Sequence, residues 1–375
     1  MGEFMIIGVP KEIKTDEHRV SCVPAGVQSL CEAGHRVLVQ AGAGADCGLT
    51  DQDYERAGAR IVPNPADIFG EAEMIIKVKE PQPPEYPLLR PGQILYTYLH
   101  LAASKELTQA LKDRQIIGIG YETIQLADGS LPLLTPMSEV AGRMAVQVGA
   151  YFLQKQQGGR GVLLSGVPGV PPAEVLILGG GTVGGNAARV AVGLGAQVIV
   201  IDSNLERLRH LDSLYQGRLV TLASHRHTIS ARIRSADLVI GAVLIPGAKA
   251  PKLVQRAHLK TMKEGAVIVD VAVDQGGCVE TSKPTTHSHP TFVVDGILHY
   301  CVANMPGAVA RTSSFALANT TLPYALAIAN AGLVKAIRKD PALASGVNLY
   351  KGEVTHQAVA TDLSYTYRTL TELLS

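Results

Sequence analysis

Short apolar runs alternate with helical spacing through the first third of the chain. Residues 6–9, 37–40, 74–78, 94–99 and 116–121 read as strands, and residues 24–33, 51–59 and 105–113 repeat their apolar positions every three to four residues. Such alternation predicts βαβ units on a parallel sheet. Residues 138–157 form a long amphipathic helical pattern, and the Gly/Pro-rich stretch 158–172 after it fits a connecting loop. A second alternating series follows at 175–178, 197–201, 219–222, 238–242, 267–273 and 291–294, the strand number of a complete doubly wound domain. From about residue 304 the pattern is mostly helical and must pack somewhere, a return to the first domain being one solution.

A chain of 375 residues exceeds what one hydrophobic core usually organises. The expected fold class is therefore α/β, with two Rossmann-like doubly wound parallel-sheet domains and a cleft between them. The predicted division is 1–137, 138–304 and a mostly helical remainder over 305–375. Residues 312–334 lack formal charge, but Ser313, Ser314, Asn319, Thr320, Thr321, Pro323 and Asn330 would be costly in lipid. That stretch reads as a core-packed helix, and no membrane partner is expected.

Composition narrows the partners. Lys and Arg number 34 against 33 Asp and Glu, so no net field draws the chain to nucleic acid, and a small molecule is the expected ligand. The five cysteines are scattered without a close pair, which argues against a disulfide framework or zinc knuckle and for a reducing compartment. Residues 1–10 show no signal-peptide pattern, and the expected location is cytoplasmic.

The sequence Val175-Leu176-Ile177-Leu178-Gly179-Gly180-Gly181-Thr182-Val183-Gly184 reads as strand, turn and helix start. Gly179, Gly181 and Gly184 hold the three positions of a dinucleotide fingerprint: tight turn, close approach to a pyrophosphate, and close helix–strand packing. Asp202 ends the next strand, roughly 20 residues on, where a carboxylate accepts from ribose hydroxyls and repels a 2′-phosphate. NAD is therefore favoured. Arg207 lies nearby and keeps an NADP reading open, its alternative being a solvated helix face.

A hydride enzyme also needs a cation for an anionic substrate and a group that moves protons near neutrality. Lys79, His100 and Asp274 each follow a predicted strand. Taken singly they read better as a loop charge, a buried histidine and a helix cap. His225, His227, His287 and His289 read as surface loop, and no metal is expected.

Several longer blocks add to this. They are Gly8-Val9-Pro10-Lys11-Glu12 with Glu17-His18-Arg19-Val20, Lys77-Val78-Lys79-Glu80-Pro81, and Tyr98-Leu99-His100-Leu101-Ala102-Ala103. Further along come Pro136-Met137-Ser138-Glu139-Val140-Ala141-Gly142-Arg143, Gly158-Gly159-Arg160-Gly161-Val162-Leu163-Leu164 and Asp270-Val271-Ala272-Val273-Asp274-Gln275-Gly276-Gly277-Cys278. Val302-Ala303-Asn304-Met305-Pro306 and the weaker Gly346-Val347-Asn348 with Lys351-Gly352 complete the set. Over roughly residues 6–360 the chain resembles the alanine dehydrogenases, a family shared with the NAD-binding subunit of transhydrogenases.

The resemblance implies a substrate domain at 1–137, an NAD domain at 138–304 and a helical return of 305–375 to the substrate domain. It implies that Arg19 and Lys79 bind the substrate carboxylate and that His100 is general acid and base. Asp274 would activate water and offset iminium-like charge. The alternative for Arg19 is a surface ion pair with Glu17 or a neighbour. By the same carry-over Ser138, Thr182, Val183, Asp202, Ser224, Val243, Leu244, Asp274, Asn304 and Met305 line the cofactor site. Ser138 reads equally as a helix N-cap, and Val243 and Leu244 as core strand. The implied reaction is reversible: L-alanine, NAD and water give pyruvate, ammonia and NADH. The implied assembly is a hexamer. Two alternatives stay open, the soluble NAD-binding component of a proton-translocating transhydrogenase and a nucleotide-binding protein without turnover. A saccharopine-type dehydrogenase is more distant.

Overall fold

The structure, a computed structural model, describes residues 4–243 and 250–374. It divides into two compact units, Met1–Met137 with Val309–Ser375, and Ser138–Ala308. The first seam falls within the helix Thr135–Phe152 and the second at the end of the 3-10 turn Met305–Val309.

Unit 1 carries β1 (Ile6–Val9), β2 (Arg36–Gln40), β3 (Arg60–Val62), β4 (Met74–Ile76), β5 (Ile94–Thr97), β6 (Ile117–Gly120), β14 (Val347–Tyr350) and β15 (Glu353–Val354). Their order is β15-β14-β6-β5-β4-β1-β2-β3. The first six run parallel. β4, β5 and β6 are buried at every residue, as expected of strands covered on both faces. Gly8 lets the helix Pro65–Glu71 press onto β1, since a Cβ there would lie 2.6 Å from the Ile68 side chain. The helix Lys105–Asp113 starts where Ser104 accepts from the Leu107 amide, offsetting one of the donors left unpaired at a helix start.

Unit 2 carries β7 (Glu174–Leu178), β8 (Gln197–Asp202), β9 (Val220–Ala223), β10 (Leu238–Gly241), β11 (Val267–Asp270), β12 (Thr291–Val294) and β13 (Ile297–Tyr300), in the order β12-β13-β11-β10-β7-β8-β9. Both sheets thus reverse direction beside their first strand, between β1 and β4 and between β7 and β10. Ligands of open α/β sheets bind outside the carboxyl ends of the strands at such switch points.

Two sequence expectations need correction. Residues 291–294 are not the sixth parallel strand; they are an antiparallel edge, and β13 takes the parallel place beside β11. The cause is the two-residue turn Asp295-Gly296, both at positive φ, which folds the chain back as a hairpin. The tail is not only helical either, because β14 joins the unit 1 sheet antiparallel to β6 and β15 pairs antiparallel with β14 at its edge. Lys351-Gly352, again at positive φ, makes that second hairpin. The stretch read as a core helix is the helix Ala310–Ala331, closed by Gly332 at φ 73°, with Ser313 and Ser314 fully buried. Among the described residues no helix is long and apolar enough to cross a membrane.

Candidate active site

In unit 1 the candidate residues gather beyond the switch point. The chain leaves β4 through Lys77, Val78 and Lys79. Lys77 is fully buried between two carboxylates, 3.1 Å from Glu12 and 2.8 Å from Glu85. The other Glu12 oxygen accepts from the Val78 amide at 2.6 Å. That pairing fixes the strand exit and leaves Lys79 as the next cation along. Lys79 is half-buried and makes no hydrogen bond or ion pair among the described residues. Burial pushes its pKa down, and the charges of Arg19 and Lys14 push it down further.

Arg19 is 2% exposed, and its fork is engaged. Nε donates to Glu17 Oε1 at 2.7 Å and Nη2 to Glu17 Oε2 at 2.6 Å, while Nη1 faces Met137 Sδ at 3.1 Å. The pairing with Glu17 weighed from sequence is therefore real, but it is buried and not a surface contact. Burial alone would raise the Glu17 pKa; the hydrogen bonds and charge of Arg19 outweigh it and bring the group from 4.5 down to about 2.

His100 is exposed and is not the buried core histidine that its sequence also allowed. Its ring stacks on Tyr98, with centroids 5.8 Å apart, and the Tyr98 hydroxyl donates to the Leu133 carbonyl at 2.6 Å. The His100 backbone is left-handed, at φ 48° and ψ 38°. Strained backbone of this kind at a non-glycine residue clusters at functional sites.

In unit 2 the three fingerprint glycines have separable reasons. Gly179, at φ 101°, turns so tightly that a Cβ would lie 2.6 Å from the Ala242 carbonyl at the neighbouring strand's exit. A Cβ on Gly184 would lie 1.7 Å from the Gly179 carbonyl. Gly181 differs, because its nearest neighbour would be Arg207 Nη1 at 4.0 Å. Open space thus lies over the residue that starts the helix Thr182–Gly193, and no side chain caps that helix. An uncapped helix start with room above it fits an anionic pyrophosphate.

The Asp202 carboxylate, 5% exposed, accepts from the Gly180 amide at 2.6 Å and from the Asn204 amide at 2.7 Å. It ties the glycine turn to the end of β8. Arg207 is exposed, with Nη1 3.8 Å from Asp202 Oδ2, so its charge is already matched by that acid. Ser224 follows β9, its amide donating to the Asp202 carbonyl at 3.0 Å. Thr182 is exposed, and Val183 and Val243 are half-buried. Leu244 lies outside the described residues. Ser138 stands inside the helix Thr135–Phe152 and is not its N-cap. Asn304, at φ 66°, accepts through its carbonyl from His287 at 3.1 Å, and Met305 is buried.

Asp274 is exposed in the 3-10 turn Val271–Gln275. The cap of that turn is Asp270, whose Oδ1 accepts from the Ala272 amide. Asp270 Oδ2 also accepts from Ser282 Oγ at 2.6 Å and from the Val279 amide at 3.1 Å. Lys252 donates to the carbonyls of Gly276, Gly277 and Val279, holding the loop just after Asp274. Sequence reasoning missed Asp270, although an acid two residues before a free amide is a recognisable cap. It also missed Gly142, where a Cβ would lie 2.1 Å from the Val183 carbonyl, and Glu122, described below. Among the described residues no group of His, Cys, Asp and Glu is placed to hold a metal ion.

Comparison with known proteins gives the family. Residues 8–141 match the alanine dehydrogenase/PNT N-terminal domain and residues 145–357 its C-terminal domain. An alanine dehydrogenase of Methanococcus maripaludis is 57% identical over 96% of this chain and 98% of its own length. One from Bacillus subtilis is 57% identical over 97% of this chain and 96% of its own. A solved L-alanine dehydrogenase superposes with a TM-score of 0.94 at 54% identity, covering 96% of this chain and 99% of that one. The transhydrogenase from Sinorhizobium meliloti superposes at 0.80 with 27% identity, covering 94% and 99%. The chain belongs to the alanine dehydrogenase/PNT family.

Proposed function

We propose that this chain catalyses the reversible, NAD-dependent oxidative deamination of L-alanine to pyruvate and ammonia. The observation that carries the reading is Lys79, a half-buried ammonium without an ion-pair partner among the described residues, beyond the switch point of the unit 1 sheet. A buried unpaired charge is destabilising unless a ligand neutralises it. A substrate carboxylate does so, with Lys79 as a point charge and Arg19 adding its guanidinium.

When bound, the nicotinamide ring supplies a hydride acceptor. His100 takes a proton from the substrate ammonium and releases it to solvent, takes one from the water that adds to the iminium and gives it to the leaving nitrogen, and takes the carbinolamine hydroxyl proton as the C–N bond breaks; reversal runs the same transfers backwards. Asp274 offsets the positive charge that develops on the substrate and orients the water. Gly179, Gly181 and Gly184 shape the pyrophosphate turn with Thr182 and Val183. Asp202 faces the adenosine ribose, and Ser138, Ser224, Val243, Asn304 and Met305 complete the cofactor contacts, with Arg207 paired to Asp202. In this reading unit 1 carries the substrate residues and unit 2 the NAD residues, and the protein works as a cytoplasmic hexamer.

The structural likeness to the Sinorhizobium meliloti protein favours a second reading, nucleotide-to-nucleotide hydride exchange. In that reading Lys79 has no carboxylate to meet. One assay separates them: NAD reduction across alanine, glutamate and leucine, and with NADP in place of NAD. Alanine with NAD is expected to give much the fastest turnover, and Asp202→Ala to narrow the gap between NAD and NADP. Activity on glutamate with alanine inert, or exchange between nucleotides without an amino acid, overturns the proposal.

A further inference from the structure

We propose that Glu122 is a positioning residue for His100, clamping its backbone in the left-handed turn, and that the C-terminal tail sets the clamp. Glu122 lies in the 3-10 turn Tyr121–Thr123, just beyond β6. Its Oε1 accepts from the His100 amide at 2.7 Å, and both carboxylate oxygens accept from the Leu99 amide at 3.2 Å. Two successive backbone N–H groups converge on one anion when the chain turns into a left-handed residue, and His100 has that conformation. The left-handed region is disfavoured for a residue with a Cβ, and charge-assisted hydrogen bonds offset that penalty.

The clamp has little slack. Thr123 Oγ1 donates to Asn348 Oδ1 at 2.8 Å, and Asn348 is buried in β14. Ser345 Oγ donates to the Thr123 carbonyl at 3.0 Å and accepts from the Gln125 amide at 3.0 Å. A Cβ on Gly120 would lie 2.8 Å from Asn348 Nδ2 and 3.3 Å from Glu122 Oε1, so only glycine leaves the carboxylate its place. On the other side Leu99 and Leu101 share a core with Val359 and Ala360 of the helix Gln357–Leu363. The tail therefore grips the turn at 121–125 and the turn at 99–103. A misplacement of about 1 Å at a reacting group is enough to lower turnover on the order of a hundredfold.

The inference rests on the reading of His100 as the proton shuttle, and the test separates the two. Amide hydrogen exchange at Leu99 and His100 reports the clamp without reference to activity. In Glu122→Ala exchange is expected to rise at both amides and kcat to fall about tenfold to a hundredfold, with the KM for alanine within about threefold. In a His100→Ala background the same substitution is expected to lower kcat no further, since positioning a missing imidazole has no value. Glu122→Gln keeps one acceptor oxygen and is expected to lose a few-fold in kcat; the same cycle is run on it if Glu122→Ala does not fold. Unchanged exchange at both amides overturns the clamp. Raised exchange with an equal loss of kcat in both backgrounds overturns the positioning role. Normal turnover in His100→Ala alone instead overturns the reading of His100.

Discussion

The glycine turn of unit 2 is defined by atoms that are missing, whereas the unit 1 site is defined by charges that remain after their neighbours have paired. At Gly179 and Gly184 an added Cβ would enter backbone 2.6 Å and 1.7 Å away, so the requirement is steric and local to the chain. At Lys79 the requirement is a balance: Glu12 and Glu85 take Lys77, Glu17 takes two guanidinium donors of Arg19, and Glu80 takes Lys14. The first kind of site is written in a spacing of residues. The second is written in partnerships across as many as 66 positions, such as Lys14 with Glu80.

The comparison breaks most sharply on two glycines of the same fingerprint. Gly184→Ala drives a methyl into the Gly179 carbonyl and is expected to cost more than about 4 kcal/mol, abolishing folded unit 2 and all turnover. Gly181→Ala places its methyl in open space and is expected to fold with a melting temperature within a few degrees of the parent's. It is nonetheless expected to weaken NAD binding about tenfold or more, because the methyl then occupies the approach of the pyrophosphate. Circular dichroism and NAD titration on both variants check this. A Gly181→Ala protein with normal NAD affinity would remove the phosphates from this turn.

That contrast explains what was legible beforehand. The order of βαβ units, the glycine turn and Asp202 at a strand end all follow from local pattern, and the structure places each there. The hairpins at Asp295-Gly296 and Lys351-Gly352 were also local, but short strands beside two-residue turns were hidden by the longer apolar runs around them. Glu122 left no local signal, since the amides that it binds lie 22 and 23 positions away. The unpaired state of Lys79 was equally invisible, because it depends on which acids the fold has already committed to Lys77, Arg19 and Lys14.

His100 sharpens the unit 1 side. It is exposed, so His100→Ala is expected to leave melting temperature and NAD affinity nearly unchanged while turnover falls by about two to four orders of magnitude. His100→Gly removes the imidazole and also accepts the left-handed backbone without strain. It is expected to be at least as stable as His100→Ala and equally inactive. Near-normal turnover in either folded variant would leave unit 1 with bound charges but no proton shuttle.

The smallest expected effect lies in the Glu17–Arg19 pair and is read through pH. Glu17 is 6% exposed and its pKa is lowered from 4.5 to about 2, burial opposing the shift and Arg19 imposing it. A carboxyl that holds its proton less tightly when folded contributes stability above its unfolded pKa. That contribution is lost as pH falls from about 4.5 towards about 2. Arg19 stays charged throughout and leaves the sign unchanged. Glu17→Gln preserves the shape and one acceptor oxygen but no longer ionises. At neutral pH it is expected to be less stable than the parent by roughly 1.5–3 kcal/mol, the usual range for a hydrogen bond to a charged group. As pH falls the two stabilities are expected to converge, because protonated glutamic acid and glutamine then offer Arg19 much the same partner. Chemical denaturation of both proteins across the acid range measures the gap directly. A gap that stays constant down to about pH 2 would mean that Glu17 supports Arg19 through shape alone, and the ionic account of the unit 1 site would lose one of its buried pairs.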